Sequence, residues 1–160
     1  MDTNRKVVLV ASGSSPDRAI ALERLLGAAA DRSGWGERLE IRLGGIDGGA
    51  GRISDAGLAA LQEIGIDAAG AVCPDLGRRP ALLEGAAVVI CDRGDVADAL
   101  VDWDEAGEAE FVCVNEIGAP PPEGRQEDDE QDDASIADEV HDFEDRIDEV
   151  LRRVVSAQGA

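Results

Sequence analysis

The sequence predicts an α/β chain: a three-layer α/β/α fold in which a four-stranded parallel sheet is flanked by helices. Three observations carry that prediction. The runs at residues 7–11 (VVLVA) and 86–91 (AAVVIC) are continuously apolar and rich in β-branched residues, as strands buried on both faces of a sheet are. Strand-like runs alternate with segments of helical periodicity, a pattern that needs a parallel sheet with right-handed crossovers. Near the end, Ile136, Val140, Phe143, Ile147, Val150, Leu151 and Val154 recur at steps of three and four, which makes an amphipathic closing helix over about 134–155.

Each element follows in order from its local chemistry. The first strand turns through Ser12-Gly13-Ser14-Ser15 into a helix, with Ser15 as N-cap, Pro16 in the first turn and Ile20, Leu22, Leu25 and Leu26 as its apolar stripe, fading near Asp31. Residues 39–43 (LEIRL) alternate as a short second strand nearer an edge. A glycine-rich loop covers 44–51, but its glycines do not follow a strand and open a helix at the spacing a dinucleotide fingerprint needs. A helix over 54–64 presents Leu58, Leu61 and Ile64 and stops at Gly65. Residues 66–79 read as a loop holding Cys73-Pro74, followed by a short helix over 80–84. The strand at 86–91 ends in Asp92-Arg93-Gly94-Asp95 before a helix over 96–100, and 110–114 is the last strand. Pro120-Pro121-Pro122 and the acidic run after it make 119–133 a solvated loop.

Composition bounds the function. A chain of 160 residues suits one domain over 1–160. There are 35 acidic against 15 basic side chains, a net charge of −20, and Lys6 is the sole lysine. Nucleic acid and anionic membrane surfaces are therefore excluded as partners, because their phosphates would be repelled. The longest apolar runs fall far below the roughly 20 residues that cross a bilayer, so a cytoplasmic protein is expected. Cys73, Cys91 and Cys113 have neither metal spacing nor an even disulfide count, and buried thiols are expected at the strand positions. Asp92, Asp95, Asp98, Asp102 and Asp104 read as a solvated acidic face, and His141 as a surface helix residue. Trp35 and Trp103 suit either an exposed interface or the core. No cofactor and no metal are expected.

In the order of these elements, in Gly65-Ile66-Asp67-Ala68-Ala69-Gly70 and in LLEGAAVVICDR at residues 82–93, the chain resembles the low-molecular-weight protein tyrosine phosphatases and the arsenate reductases of the same fold. The resemblance runs over roughly residues 6–155. It implies a loop written C-x5-R after the first strand, whose cysteine thiolate attacks phosphorus while the arginine and loop amides hold the phosphoryl oxygens. It also implies a late Asp-Pro that protonates the leaving group. This chain departs from each part. Counting from the strand places Ala11 at the cysteine and Asp17 at the arginine; counting back from the helix places Ser12 and Arg18 there. Pro121 stands where the general acid belongs. A neutral serine is a far weaker nucleophile than a thiolate, and general acid catalysis is worth roughly 10²–10⁴-fold.

The resemblance thus implies a catalytically inactive phosphatase-like protein, a binding or regulatory module for a protein partner or a phosphorylated small ligand, with a homodimer compatible. The alternative is a residual phosphatase or arsenate reductase with an atypical loop. Ser12, Gly13, Ser14, Ser15 and Arg18 are the candidate oxyanion contacts, through amides, hydroxyls and the guanidinium. Pro16 removes one amide, and Asp17, turned inward, would pair with Arg18 and close the site. Cys91 lies near the place where the arsenate reductases keep a resolving cysteine, but the loop holds no attacking cysteine for it to resolve.

The acid is spread along the chain with almost no lysine, a balance suited to a salt-rich cytoplasm, so folding should depend on salt. At about 1 M the screening length falls to roughly 3 Å. The thermal midpoint, followed by circular dichroism, should rise between about 0.05 M and 2 M potassium chloride; an unchanged midpoint would overturn the halophilic reading.

Overall fold

The computed structural model describes residues 6–13, 15–46, 49–92, 94–107, 109–114 and 136–156, the side chains of 95 and 136–139 excepted. The expectations placed on Ser14, on Pro121 and on the acidic loop at 119–133 lie outside these residues.

Strand β1 (Lys6–Ser12) is apolar from Val7 to Ala11 because it is central in the sheet. It pairs in parallel with β2 (Leu39–Gly45) on one side and with β5 (Val88–Cys91) on the other, and β5 pairs in parallel with β6 (Glu110–Cys113). The order β2-β1-β5-β6 puts β2 on an edge, as its alternating sequence predicts. Two further strands, β3 (Gly51–Arg52) and β4 (Val72–Cys73), form an antiparallel pair of their own. Sequence reading leaves both in loops, because two residues carry no periodicity and only the tertiary contact pairs them.

The period-two alternation of β1 sorts the core into two layers. Val8 and Val10 face α1 (Pro16–Arg32), α2 (Asp55–Glu63) and α4 (Ile136–Ser156), whereas Leu9 and Ala11 face Leu76, Leu83 and α3 (Gly94–Leu100). Helix α4 buries Val140, Phe143, Ile147, Val150, Leu151 and Val154 against α1 and α2. Short 3₁₀ turns occupy Pro80–Leu82, where a short helix is expected, and Asp104–Ala106, too short to be legible in sequence. Gly65 takes φ of +85°, the left-handed conformation that ends α2. Trp35 and Trp103 are both partly buried, each against one of the two core layers, and the Arg38 guanidinium lies 5.5 Å from the Trp35 ring centre. Among the described residues, no helix is long and apolar enough to cross a membrane.

The sole lysine has a defined place in this frame. Lys6 Nζ donates to the carbonyls of Val154 (3.1 Å) and Val155 (3.2 Å), which brings a cation to the C-terminal end of α4 and ties that helix to the start of the central strand. Lys6→Met keeps the aliphatic stem and removes both bonds. It should lower stability by about 1–2 kcal/mol, read as a fall of roughly 2–8 °C in the thermal midpoint; an unchanged midpoint would show that solvent serves these carbonyls equally well.

Candidate functional site

In a parallel sheet wound in both directions, ligands bind beyond the carboxyl ends of the strands where the winding reverses. Here that point lies between β1 and β5, with β2 on one side of β1 and β5 on the other. Ser12 ends β1, Cys91 ends β5 and Asp92 follows it, with Ala11 and Cys91 opposite each other in register. Of the residues that sequence reasoning selected, Ser12 and Arg18 meet at this spot, on a residue that it placed elsewhere.

That residue is Asp92. Expected on a solvated acidic face with Asp98, Asp102 and Asp104, it is instead buried, 4% exposed, while those three are exposed. The reason is positional: directly after a buried strand, its side chain falls on the end of the neighbouring central strand. Ser12, fully buried, donates its hydroxyl to Asp92 Oδ2 at 3.1 Å, and Arg18 Nη1 stands 3.5 Å from the same oxygen. The signal that would have found it is its place, a carboxylate at the C-terminal end of an all-apolar strand.

Asp17, for its part, does not turn toward Arg18. Its carboxylate accepts from the Ser54 backbone N–H at 2.8 Å and from the Ser54 hydroxyl at 2.5 Å. Ser54 in turn caps α2, its Oγ accepting from Gly57 N at 3.0 Å. The match is close enough that a Cβ on Gly57 would stand 2.6 Å from Asp17 Cγ. Asp17 therefore joins the first turn of α1 to the first turn of α2, and Arg18, one residue on and facing the sheet, meets Asp92 instead.

The turn itself is short. Between the end of β1 and the start of α1 lie three residues, 13–15. The Ser15 hydroxyl caps the helix by accepting from Asp17 N at 3.1 Å, and Pro16 has no N–H to offer. The Ser12 carbonyl accepts from Ile46 N at 3.1 Å. The glycine-rich segment folds over this end of the strand: a Cβ on Gly49 would fall 1.9 Å from the Ser12 carbonyl oxygen, and one on Gly13 would stand 3.1 Å from Val96 Cγ2. Ala11 and Ser12 are both without exposed surface.

The electrostatics follow. An oxyanion reaching Arg18 would also approach the Asp92 carboxylate. Two like unit charges ~4 Å apart repel by about 4 kcal/mol at an effective dielectric of ~20. A charge-assisted hydrogen bond returns about 1.5–3 kcal/mol. The pair is thus a competitor for any anion. The thiols offer no replacement nucleophile in the turn. Burial pushes the Cys73 thiol up to about 12, with the Glu23 carboxylate adding to the shift, and Cys91 is fully buried. Burial likewise raises Glu23 above the ordinary carboxylate range, against the opposing pull of Arg24. His141 is exposed on α4, 3.7 Å from Glu144. Among the described residues, no cluster of three or more His, Cys, Asp or Glu side chains is arranged to hold a metal ion.

No protein-family model matches the chain, and no curated protein matches it. Solved structures do. A low-molecular-weight protein tyrosine phosphatase from T. tengcongensis is similar over 92% of this chain and 99% of its own, at 18% identity and a TM-score of 0.68. A protein tyrosine phosphatase from Entamoeba histolytica matches over 97% of this chain and 99% of its own, with 8% identity and a TM-score of 0.71. The arginine phosphatase YwlE, in a cysteine-to-serine mutant whose active-site serine is phosphorylated, matches over 95% and 97% at 17% identity and a TM-score of 0.66. The fold is therefore that of the low-molecular-weight phosphatases, nearly end to end.

Phosphate titrated at fixed ionic strength should leave the amide resonances of Gly13 and Ser15 unmoved in the native protein. Asp92→Asn, which keeps the shape and removes the competing charge, should give saturable shifts that Arg18→Ala abolishes. Saturable binding by the native protein would mean that Arg18 leaves Asp92 for the ligand.

Proposed function

We propose that this phosphatase-fold chain acts by binding, not by turnover: a pseudophosphatase whose former reaction centre has become an internal tie. The observation that supports the reading most is the Asp92 carboxylate, which engages both Ser12 and Arg18 at the ends of β1 and β5. Turnover of a phosphate ester in the phosphatase manner needs an exposed nucleophile and an arginine that awaits the ligand. In this chain the residue at the end of β1 is a serine without exposed surface, and the arginine lies against a carboxylate. Contact with a protein partner, or with a phosphorylated small ligand that displaces the Arg18–Asp92 pair, is the function left to such a scaffold. The net charge of −20 favours a partner that presents cationic groups.

A second reading draws on the same geometry. The Ser12 hydroxyl donates to a carboxylate, the arrangement of a nucleophile and its base, and in the YwlE mutant a serine at the active site carries a phosphoryl group. A residual phosphatase, or an arsenate reductase with an atypical loop, would use Ser12 as nucleophile, Asp92 as base and Arg18 as phosphate ligand. Burial of the hydroxyl weighs against it, because the phosphorus atom has to reach Oγ.

Hydrolysis of a chromogenic aryl phosphate in high salt separates the two. The native chain, Ser12→Ala and Ser12→Cys should all remain at the buffer rate. The cysteine variant should fail because burial and the adjacent Asp92 carboxylate both hold a thiol in its protonated, unreactive form. Turnover by the native chain that Ser12→Ala removes would establish the second reading, and iodoacetamide-sensitive turnover by Ser12→Cys would show that the centre still admits substrate.

A further inference from the structure

We propose that Cys91 and Cys113 are a reversible dithiol–disulfide pair that joins β5 to the edge strand β6 at the carboxyl end of the sheet. The register carries the proposal. Cys91 and Cys113 are direct partners in the parallel ladder, the last pair after Val88↔Glu110, Val89↔Phe111 and Ile90↔Val112. Direct partners point to the same face. Here that face is the α3 layer: Leu9, Ala11, Val89 and Cys91 are buried in it, and Phe111 and Cys113 pack against it, while Ile90 and Val112 belong to the opposite layer. Neighbouring strands run ~4.8 Å apart, inside the ~4.4–6.8 Å range of Cα separations that a disulfide spans. None of the three cysteines is joined in a disulfide in this structure.

Exposure assigns the roles. Cys91 is without exposed surface and Cys113 is partly exposed, so an oxidant meets Cys113 first. With a peroxide, the Cys113 sulfur attacks one oxygen, the O–O bond breaks and water leaves, giving a sulfenic acid. The Cys91 sulfur then attacks the Cys113 sulfur, its proton goes to the departing hydroxyl, and a second water is released as the S–S bond forms. Two thiols are oxidised by two electrons in all, and one peroxide is reduced to two waters. A dithiol reductant reverses the step by thiol–disulfide exchange. Cys73 takes no part: it lies on β4, outside this sheet, with its thiol held protonated.

The bridge has a structural consequence at the site. Cys91 immediately precedes Asp92, so a bond to β6 anchors the backbone from which Asp92 reaches Ser12 and Arg18. Oxidation would hold that tie in place and fasten an edge strand that otherwise has a single neighbour in the sheet. The proposal stands on register and burial, whether or not the protein turns over a phosphate ester.

The test treats the full, reduced protein with hydrogen peroxide. Remaining thiols are alkylated in denaturant and counted, and peptides are mapped by mass spectrometry without reduction. Two of the three thiols should disappear together, in a monomer whose map shows a 91–113 crosslink, and dithiothreitol should restore both. In Cys113→Ser, shown to be folded by circular dichroism, Cys91 should keep its thiol under the same treatment. The native peptide map decides the matter even if that variant does not fold. Oxidation of Cys113 to a sulfinic acid, or its joining a second chain, while Cys91 stays alkylatable would overturn the proposal. So would a crosslink that includes Cys73, or three thiols surviving peroxide that oxidises a solvent-exposed cysteine peptide in the same tube.

Discussion

A carboxylate removed from water needs partners, and at the centre of this fold one carboxylate draws three elements together. Asp92 sits past the end of β5 with almost no exposed surface and takes the Ser12 hydroxyl from the end of β1 and the Arg18 guanidinium from the first turn of α1. Bringing ions inside is expensive, and their attraction repays that cost only where the remaining hydrogen bonds are also made. Such a tie adds little net stability over an apolar replacement. What it does is make the geometry conditional, since removing Arg18 takes a cation away from a buried carboxylate. The spacing of the strands, the short turn after β1 and the direction of Arg18 all have to agree for Asp92 to be tolerated.

The same economy governs the other interior charges. Asp17 is buried because Ser54 supplies two donors to it, and Ser54 is fixed because it caps α2. Lys6 reaches the last carbonyls of α4, where the helix leaves acceptors without partners of its own. In each case a polar side chain joins the end of one element to the end of another, and aliphatic packing covers everything between. A chain with aromatics at only 2% has few large anchors for its core, so these end-to-end contacts set how the layers register.

Function follows from where the charges are not. Among the described residues most acidic side chains are exposed, and Arg18 at the switch point faces a carboxylate. A phosphatase keeps such a site electropositive and open so that a phosphate dianion can enter. Here an internal anion stands beside the arginine that would receive one. Fold by itself does not carry activity, because function resides in a few side chains grafted on a common scaffold. Identities of 8–18% to structures that match over almost the whole chain show that the fold persists where most side chains differ.

The architecture was legible in the sequence because it rests on periodicity. The apolar run at 7–11 could only be a central strand, Ser15-Pro16 marks a helix start, Gly65 marks an end, and the stripe from Ile136 to Val154 specifies the closing helix. Part of the site was legible too, since Ser12, Gly13, Ser15 and Arg18 are close in sequence and any strand-turn-helix brings them together. Asp92 and Ser54 were not. They lie 80 and 37 residues from the groups they bind, and although its place at a strand end marks Asp92, nothing local names the donors that either residue meets. The two-residue strands β3 and β4, and the facing of Cys91 on Cys113, were invisible for the same reason. Local pattern determines which residues are strand, helix and core; which carboxylate meets which donor depends on strand order and register, and those exist only once distant segments have packed.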